Sequence, residues 1–307
     1  MSDQQRTKFR SSQDWNDFIL SNPQLTGADL KVLRNACYKE IESFRKKPLL
    51  VYATKFIETD IPTIPNTIDL ADVEGFTDLA NSIDSGDAVD ILLHSPGGRP
   101  DATERIVSIL RNRFKQIDFL VPHSAYSAAT MLALSGDSIT LHPSATLGPI
   151  DPQLNGTPAR SIKRGFDKVK DIIKNEGPES LPAYIPLIEK YTLDLLELCE
   201  DSEKLSKELV TDWLKQYMFK GKTNDKITEI VDYFSDYDSH LLHSRPLLLS
   251  KIQHFKMPIK HAEGDLKDLL WEAYILLNGF FSGTPFIKLY ENSTNLSWGK
   301  QTQVSII

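Results

Sequence analysis

The chain lacks the features that would tie it to a bilayer, a disulfide framework or a nucleic acid. No run approaches the ~18 apolar residues needed to cross a membrane, and the opening MSDQQRTKFRSSQDW has no apolar signal core. Cysteine is scarce: Cys37 and Cys199 are far apart and fit no CxxC or metal spacing, so they read as reduced thiols. Positive charge is not in excess. The net charge is −7, whereas a general nucleic-acid binder needs a basic face. The expectation is a soluble, cytoplasmic chain with no membrane span. Its 40% apolar content over 307 residues is enough for a sizeable core.

What is present is concentrated in Val89–Gln153. Val89–His94 is short, apolar and rich in branched residues, so it reads as a buried strand. Ser95-Pro96-Gly97-Gly98 stops it with a turn that can expose backbone amides. Asp101-Ala102-Thr103-Glu104 resembles a capping box, and Ala102, Ile106, Leu110 and Phe114 follow at helical spacing. Asp118–His123 is a second strand, then small residues lead into a short helix ending at Gly136, and Ser138–His142 is a third strand. This alternation predicts a parallel sheet with right-handed crossovers. Ligands in such sheets bind beyond the carboxyl ends of the strands, where both the Gly-Gly turn and Ser127 fall. A serine opening a helix beside a turn with spare amides has the parts of a nucleophile and an oxyanion hole. A phosphate-binding or merely structural turn with a capping serine would use the same residues.

The string SPGG after a strand, followed by a Ser-Ala segment, resembles the Clp protease and crotonase superfamily. PHSAYSAATMLALSGDSITLHPSATLGPIDPQ is closer still to the serine dehydrogenase proteinase family, relatives of signal-peptide peptidase A and the stomatin-cleaving proteases. That family shows a PGG turn, a PH-x-A-x-SAGT segment and a GP-[IV]-DPQ segment. Pro122-His123, Ala125, Ser127-Ala128, Thr130 and Gly148–Gln153 match, and Ala129 stands where glycine is usual. The resemblance implies an α/β Clp/crotonase-like fold, with crossover helices and a helical C-terminal extension. It implies a serine peptidase acting on a protein or peptide substrate, with Ser127 as nucleophile and no cofactor or metal. The amides of Gly98 and Ala128, helped by Gly97, would form the oxyanion hole. Two other uses of the fold stay open: a crotonase-type acyl-coenzyme A enzyme, and a catalytically silent interaction module.

A serine hydroxyl needs a base, and the residues leave its identity open. The Clp relatives carry a histidine soon after the GP segment, but ATLGPIDPQLNG has none. The signal-peptide peptidase relatives use a lysine on a later helix, where desolvation lowers its pKa. That points to Lys190 in IPLIEKYTLDLL, although Lys190 projects away from the stripe of Ile185, Ile188, Tyr191 and Leu195. Lys168, Lys170 and His123 are the alternatives, while His142 ends a strand too soon after Ser127. Asp151, in the GPIDPQ turn, would either orient a lysine or a substrate amide, or cap its own turn. His243, in LLHSRPLLL, is read as packing the tail, without chemistry.

Elsewhere, residues 1–46 read as a mobile start and one or two helices, with Leu30, Leu33, Ala36, Cys37 and Ile41 on one stripe. The peptidase domain is placed at 47–290, beginning with the strand Pro48–Phe56. A polar loop at 57–66 is a possible border of the substrate groove, and Val73, Phe76, Leu79 and Ile83 mark the next helix. From about residue 159, a helical lid or oligomer arm is expected, with helices at Ala159–Lys174, Tyr184–Glu200, Lys204–Phe219 and Asn224–Phe234. Residues 291–307 read as a polar tail after an edge strand at Phe286–Tyr290. Surplus amphipathic helices suggest a homo-oligomer larger than a dimer.

Overall fold

Strands covered on both faces need apolar residues at every position, and Leu49–Thr54 is buried throughout. In the computed structural model, which describes residues 6–57, 65–154, 156–189, 191–221 and 226–302, that strand lies within a seven-stranded sheet. The chain runs α1 (Ser12–Ser21), α2 (Gly27–Arg45), β1 (Leu49–Thr54), α3 (Asp72–Asn81), β2 (Ala88–His94), α4 (Pro100–Arg113), β3 (Gln116–Val121), α5 (Ala128–Leu134) and β4 (Ser138–Leu141). After α6 (Ala159–Glu176), α7 (Leu193–Trp213) and α8 (Ile227–Ser235) come β5 (Ile259–His261), α9 (Gly264–Gly283), β6 (Phe286–Asn292) and β7 (Ser297–Gln301). The strand order is β7-β6-β1-β2-β3-β4-β5. The strands from β1 to β5 pair in parallel, and the β6–β7 hairpin adds antiparallel to β1.

Alternation along each strand divides the core in two. Leu49, Val51 and Leu92 face α2 and α9, against Cys37, Ile41, Leu270 and Leu277. Leu50, Ile91 and Phe119 face the opposite layer, against Phe76, Ile106 and Leu132. This is the expected α/β Clp/crotonase-like architecture. Among the described residues, no helix is long and apolar enough to cross a membrane.

Four local expectations differ from the structure. Helix α4 starts at Pro100, whose missing N–H suits a first helical turn, and Asp101 pairs with Arg99 instead of capping. The anticipated break near residue 202 does not occur. Helix α7 runs through Asp201-Ser202-Glu203 because packing of Cys199, Ser206 and Val210 outweighs the local capping preference of Ser and Asp. The short strand Ile259–His261 was not anticipated. The tail is not simply polar surface: β6 extends to Asn292, lies inside the sheet, and is covered by β7. Buried Glu291 takes two bonds from Arg34, at 2.8 and 2.7 Å, and one from Tyr38 Oη at 2.9 Å. Paired charge, rather than apolar surface, fills that part of the core.

Candidate active site

A small second ladder lies beyond the carboxyl ends of the central strands. Ser95 bridges Ala125 in parallel, Ser124-Ala125 pairs with Thr146-Leu147, and Leu147 bridges Leu247 antiparallel. The bonds are Ser95 N–H to Ser124 O at 3.1 Å, Gly148 N–H to Ala125 O at 3.1 Å, and Leu247 N–H to Leu147 O at 2.8 Å. Thr130 fastens two of these segments. Its hydroxyl donates to Ala125 O at 2.7 Å and accepts from Gly148 N–H at 3.0 Å. The segment ending at Leu247 is thereby held against Thr146-Leu147, which separates it from the Ser124-Ala125 segment leading into Ser127.

Ser127 sits between this ladder and α5 with φ 51° and ψ −123°. That conformation is essentially closed to side chains bearing a Cβ, and costs on the order of 1–3 kcal/mol unless the surroundings enforce it. A sharp strand-to-helix turn of this kind lifts a serine hydroxyl out of the backbone, as in the nucleophile elbow. Gly97 (φ 95°) passes directly over it. A Cβ on Gly97 would stand 2.7 Å from both Ser127 Cβ and Ala128 N, so only glycine fits. Ala128 is the first residue of α5, and neither its N–H nor that of Gly98 has an acceptor among the described residues. The Gly97 N–H differs: Ser95 Oγ accepts it at 3.2 Å, so Gly97 contributes close approach and not a free donor.

Ser127 and Gly98 line a cavity of about 910 Å³ together with His243. Phe56, Tyr126, Met131, Ile150 and Leu154 make much of its wall, and Leu198, Ser202, Leu205 and Ser206 enter from α7. His243 Nδ1 lies 2.9 Å from Asp151 Oδ1, and the carboxylate side chain is only 4% exposed. A carboxylate can only accept, so Nδ1 carries the proton and Nε2 is the basic nitrogen. Ser127 Oγ has no hydrogen-bond partner among the described residues. The hydroxyl and the imidazole therefore share the cavity without a hydrogen bond between them.

The sequence matches the ClpP-like SDH-type serine proteinase family over residues 16–263. The chain belongs to that family. Two similar proteins of Methanocaldococcus jannaschii, the uncharacterized MJ0137 and MJ1495, are 28% identical over 161 residues and 26% identical over 171 residues. The matches take in 50% and 56% of this chain and 56% and 51% of the relatives, so the chain spans about half the length of the curated relatives it matches. Two solved structures of mutants of the 1510-N membrane-bound stomatin-specific protease, one in complex with a substrate peptide, resemble it at 17% and 20% identity, each with a TM-score of 0.37. The superpositions cover 63% and 67% of this chain and 74% and 75% of theirs.

The other candidates in this chain are distributed unevenly. Lys190 lies outside the described residues, as do residues 58–64 of the anticipated groove-side loop, although Phe56 and Thr67 flanking that loop do line the cavity. Lys168 and Lys170 are exposed on α6, with Lys170 3.5 Å from Asp167, and no lysine is among the described cavity-lining residues. His123 is turned from the cavity: it stacks on Tyr274 at 4.3 Å, with Nδ1 2.7 Å from Ser124 Oγ, and burial pushes its imidazole below the ordinary range. Ala129 is fully buried in the core on α5 and is not among the cavity-lining residues, so its methyl group does not narrow the site. Asp151 and His243 are the pair that residue spacing did not bring together. The signal available was a GPIDPQ turn and one histidine in an irregular leucine-rich stretch. Among the described residues, no group of three or more His, Cys, Asp or Glu is arranged to hold a metal ion.

Proposed function

We propose that the chain is a serine peptidase in which Ser127 is the nucleophile and His243 the general base. Asp151 orients the imidazole, and the Gly98 and Ala128 amides form the oxyanion hole. One observation supports this most: a serine held at φ 51° faces the same cavity as an imidazole bonded to a buried carboxylate. In the reaction, His243 Nε2 takes the Ser127 proton as Oγ bonds to the peptide carbonyl carbon. The two amides then carry the negative charge of the tetrahedral oxygen, each such donor being worth about 10²–10³ in rate. Collapse breaks the C–N bond, the imidazolium gives its proton to the leaving amine, and an acyl-enzyme remains on Oγ. Water, deprotonated by the same imidazole, releases the acid. The absence of a hydrogen bond between hydroxyl and imidazole does not count against this scheme, because such contacts often form only when substrate binds.

Labelling with a fluorophosphonate tests the reading. The parent should react at Ser127 and cleave casein, while Ser127→Ala should do neither yet keep its circular dichroism. A Ser127→Ala variant as fast as the parent would end the proposal, and an unlabelled parent that binds acyl-coenzyme A would favour the crotonase-type reading. The serine–lysine alternative rests on Lys190 and is separated by Lys190→Met: retained activity supports His243, and lost activity in a folded variant supports the lysine. We further infer self-association, because Ile185 and Leu187 are 38% and 60% exposed on the arm. Light scattering that gives only a 34.7 kDa particle would refute it.

A further inference from the structure

We propose that Lys288, far from Ser127 in sequence, is a positioning residue for the turn that holds the Gly98 amide. The inference rests on the serine-peptidase reading. Ile68 lies along the turn as a parallel bridge to Gly98: its N–H donates to Gly97 O at 2.7 Å, and its carbonyl accepts from Arg99 N–H at 2.8 Å. The contact is as close as backbone allows. A Cβ on Gly98 would stand 2.2 Å from Ile68 O and 2.5 Å from Ile68 N. Any displacement of Ile68 therefore moves the Gly98 N–H by a similar amount, and such donors act only at the right distance from the developing oxyanion.

What holds Ile68 is a buried ammonium. Lys288, on β6 and 1% exposed, donates to Thr67 O at 2.7 Å, to Asp69 Oδ2 at 3.1 Å, and to Asp72 at 3.0 and 2.8 Å. Those partners bracket Ile68 on both sides. The carboxylate of Asp72, fully buried at the start of α3, also accepts from Tyr290 Oη and from Asp69 N–H at 2.7 Å. A buried ion pair of this kind is a weak source of stability compared with apolar packing, but its directed bonds fix a segment in place. Lys288 does not line the cavity, so it acts through Ile68 and never touches substrate.

The test uses the full chain with a peptide substrate. Lys288→Met should lower kcat at least ten-fold while KM changes less than about two-fold. Because that change leaves the buried Asp72 without a counter-charge, Lys288→Met/Asp72→Asn provides a second variant that removes charge at both ends. It should show the same split between kcat and KM, with a folded circular dichroism spectrum at the assay temperature. A merely structural role would lower the folded fraction and leave the kcat of the folded protein unchanged. Folded variants with parental kcat would overturn the inference even if the parent is labelled at Ser127. A parent that is never labelled would instead refute the peptidase reading itself.

Discussion

Two groups of imidazoles flank the Ser127 segment, and their surroundings differ in kind. His243 lines the cavity and gives Nδ1 to a carboxylate. His123 and His142 stack on Tyr274 and Trp271, and His94 meets His123 and Tyr274 edge to face, with ring centroids 4.3 to 5.9 Å apart across this aromatic layer. The histidine nearest to Ser127 in sequence belongs to the packed group, and the one far along the chain belongs to the site. A carboxylate partner and an open wall suit proton transfer, whereas an apolar stack suits a neutral ring that never titrates in use.

The same substitution at both histidines should separate these roles. His243→Gln should lower kcat/KM by about 10³-fold or more, the scale of losing a general base acting with a nucleophile. Asp151→Asn should cost somewhat less, because the imidazole persists but its tautomer is no longer enforced. His123→Gln should stay within a few-fold of the parent. Steady-state kinetics on one peptide substrate checks all three, and a silent His123→Gln beside an active His243→Gln would invert the comparison.

The contrast also explains which parts of the molecule were legible beforehand. The central strands β2, β3 and β4, the Gly-Gly turn and the place of Ser127 at a strand-to-helix junction were, because each follows from contiguous strand, turn and helix spacing within Val89–Gln153. The Asp151–His243 pair was not, since it depends on a single bridge between Leu147 and Leu247, in a stretch with no periodicity to read. Thr67–Asp72 and Lys288 were hidden for a related reason. Lys288 read as a position in an edge strand and Glu291 as the start of a polar tail, yet both are buried among paired partners. Hydropathy detects apolar burial and is blind to burial compensated by hydrogen bonds.

A smaller effect tests the packed group itself, through the dependence of stability on pH. Burial pushes His94 down to about 3 and His142 down to about 4. A ring held neutral in the folded chain takes up its proton on unfolding at any pH between that value and the ordinary imidazole range near 6.5. The unfolded state then binds more protons, so stability falls as pH is lowered through that window, and each such histidine contributes a slope approaching 1.4 kcal/mol per pH unit. Below about 3, His94 is protonated in both states and its contribution to the slope ends. His94→Leu removes one titrating ring while filling similar space. Its urea midpoint should therefore drop less between pH 6.5 and pH 4.5 than the parent's, whatever the substitution costs at neutral pH. Parallel declines in parent and variant would mean that His94 is not held neutral, and that the contrast with His243 lies in access to the cavity alone.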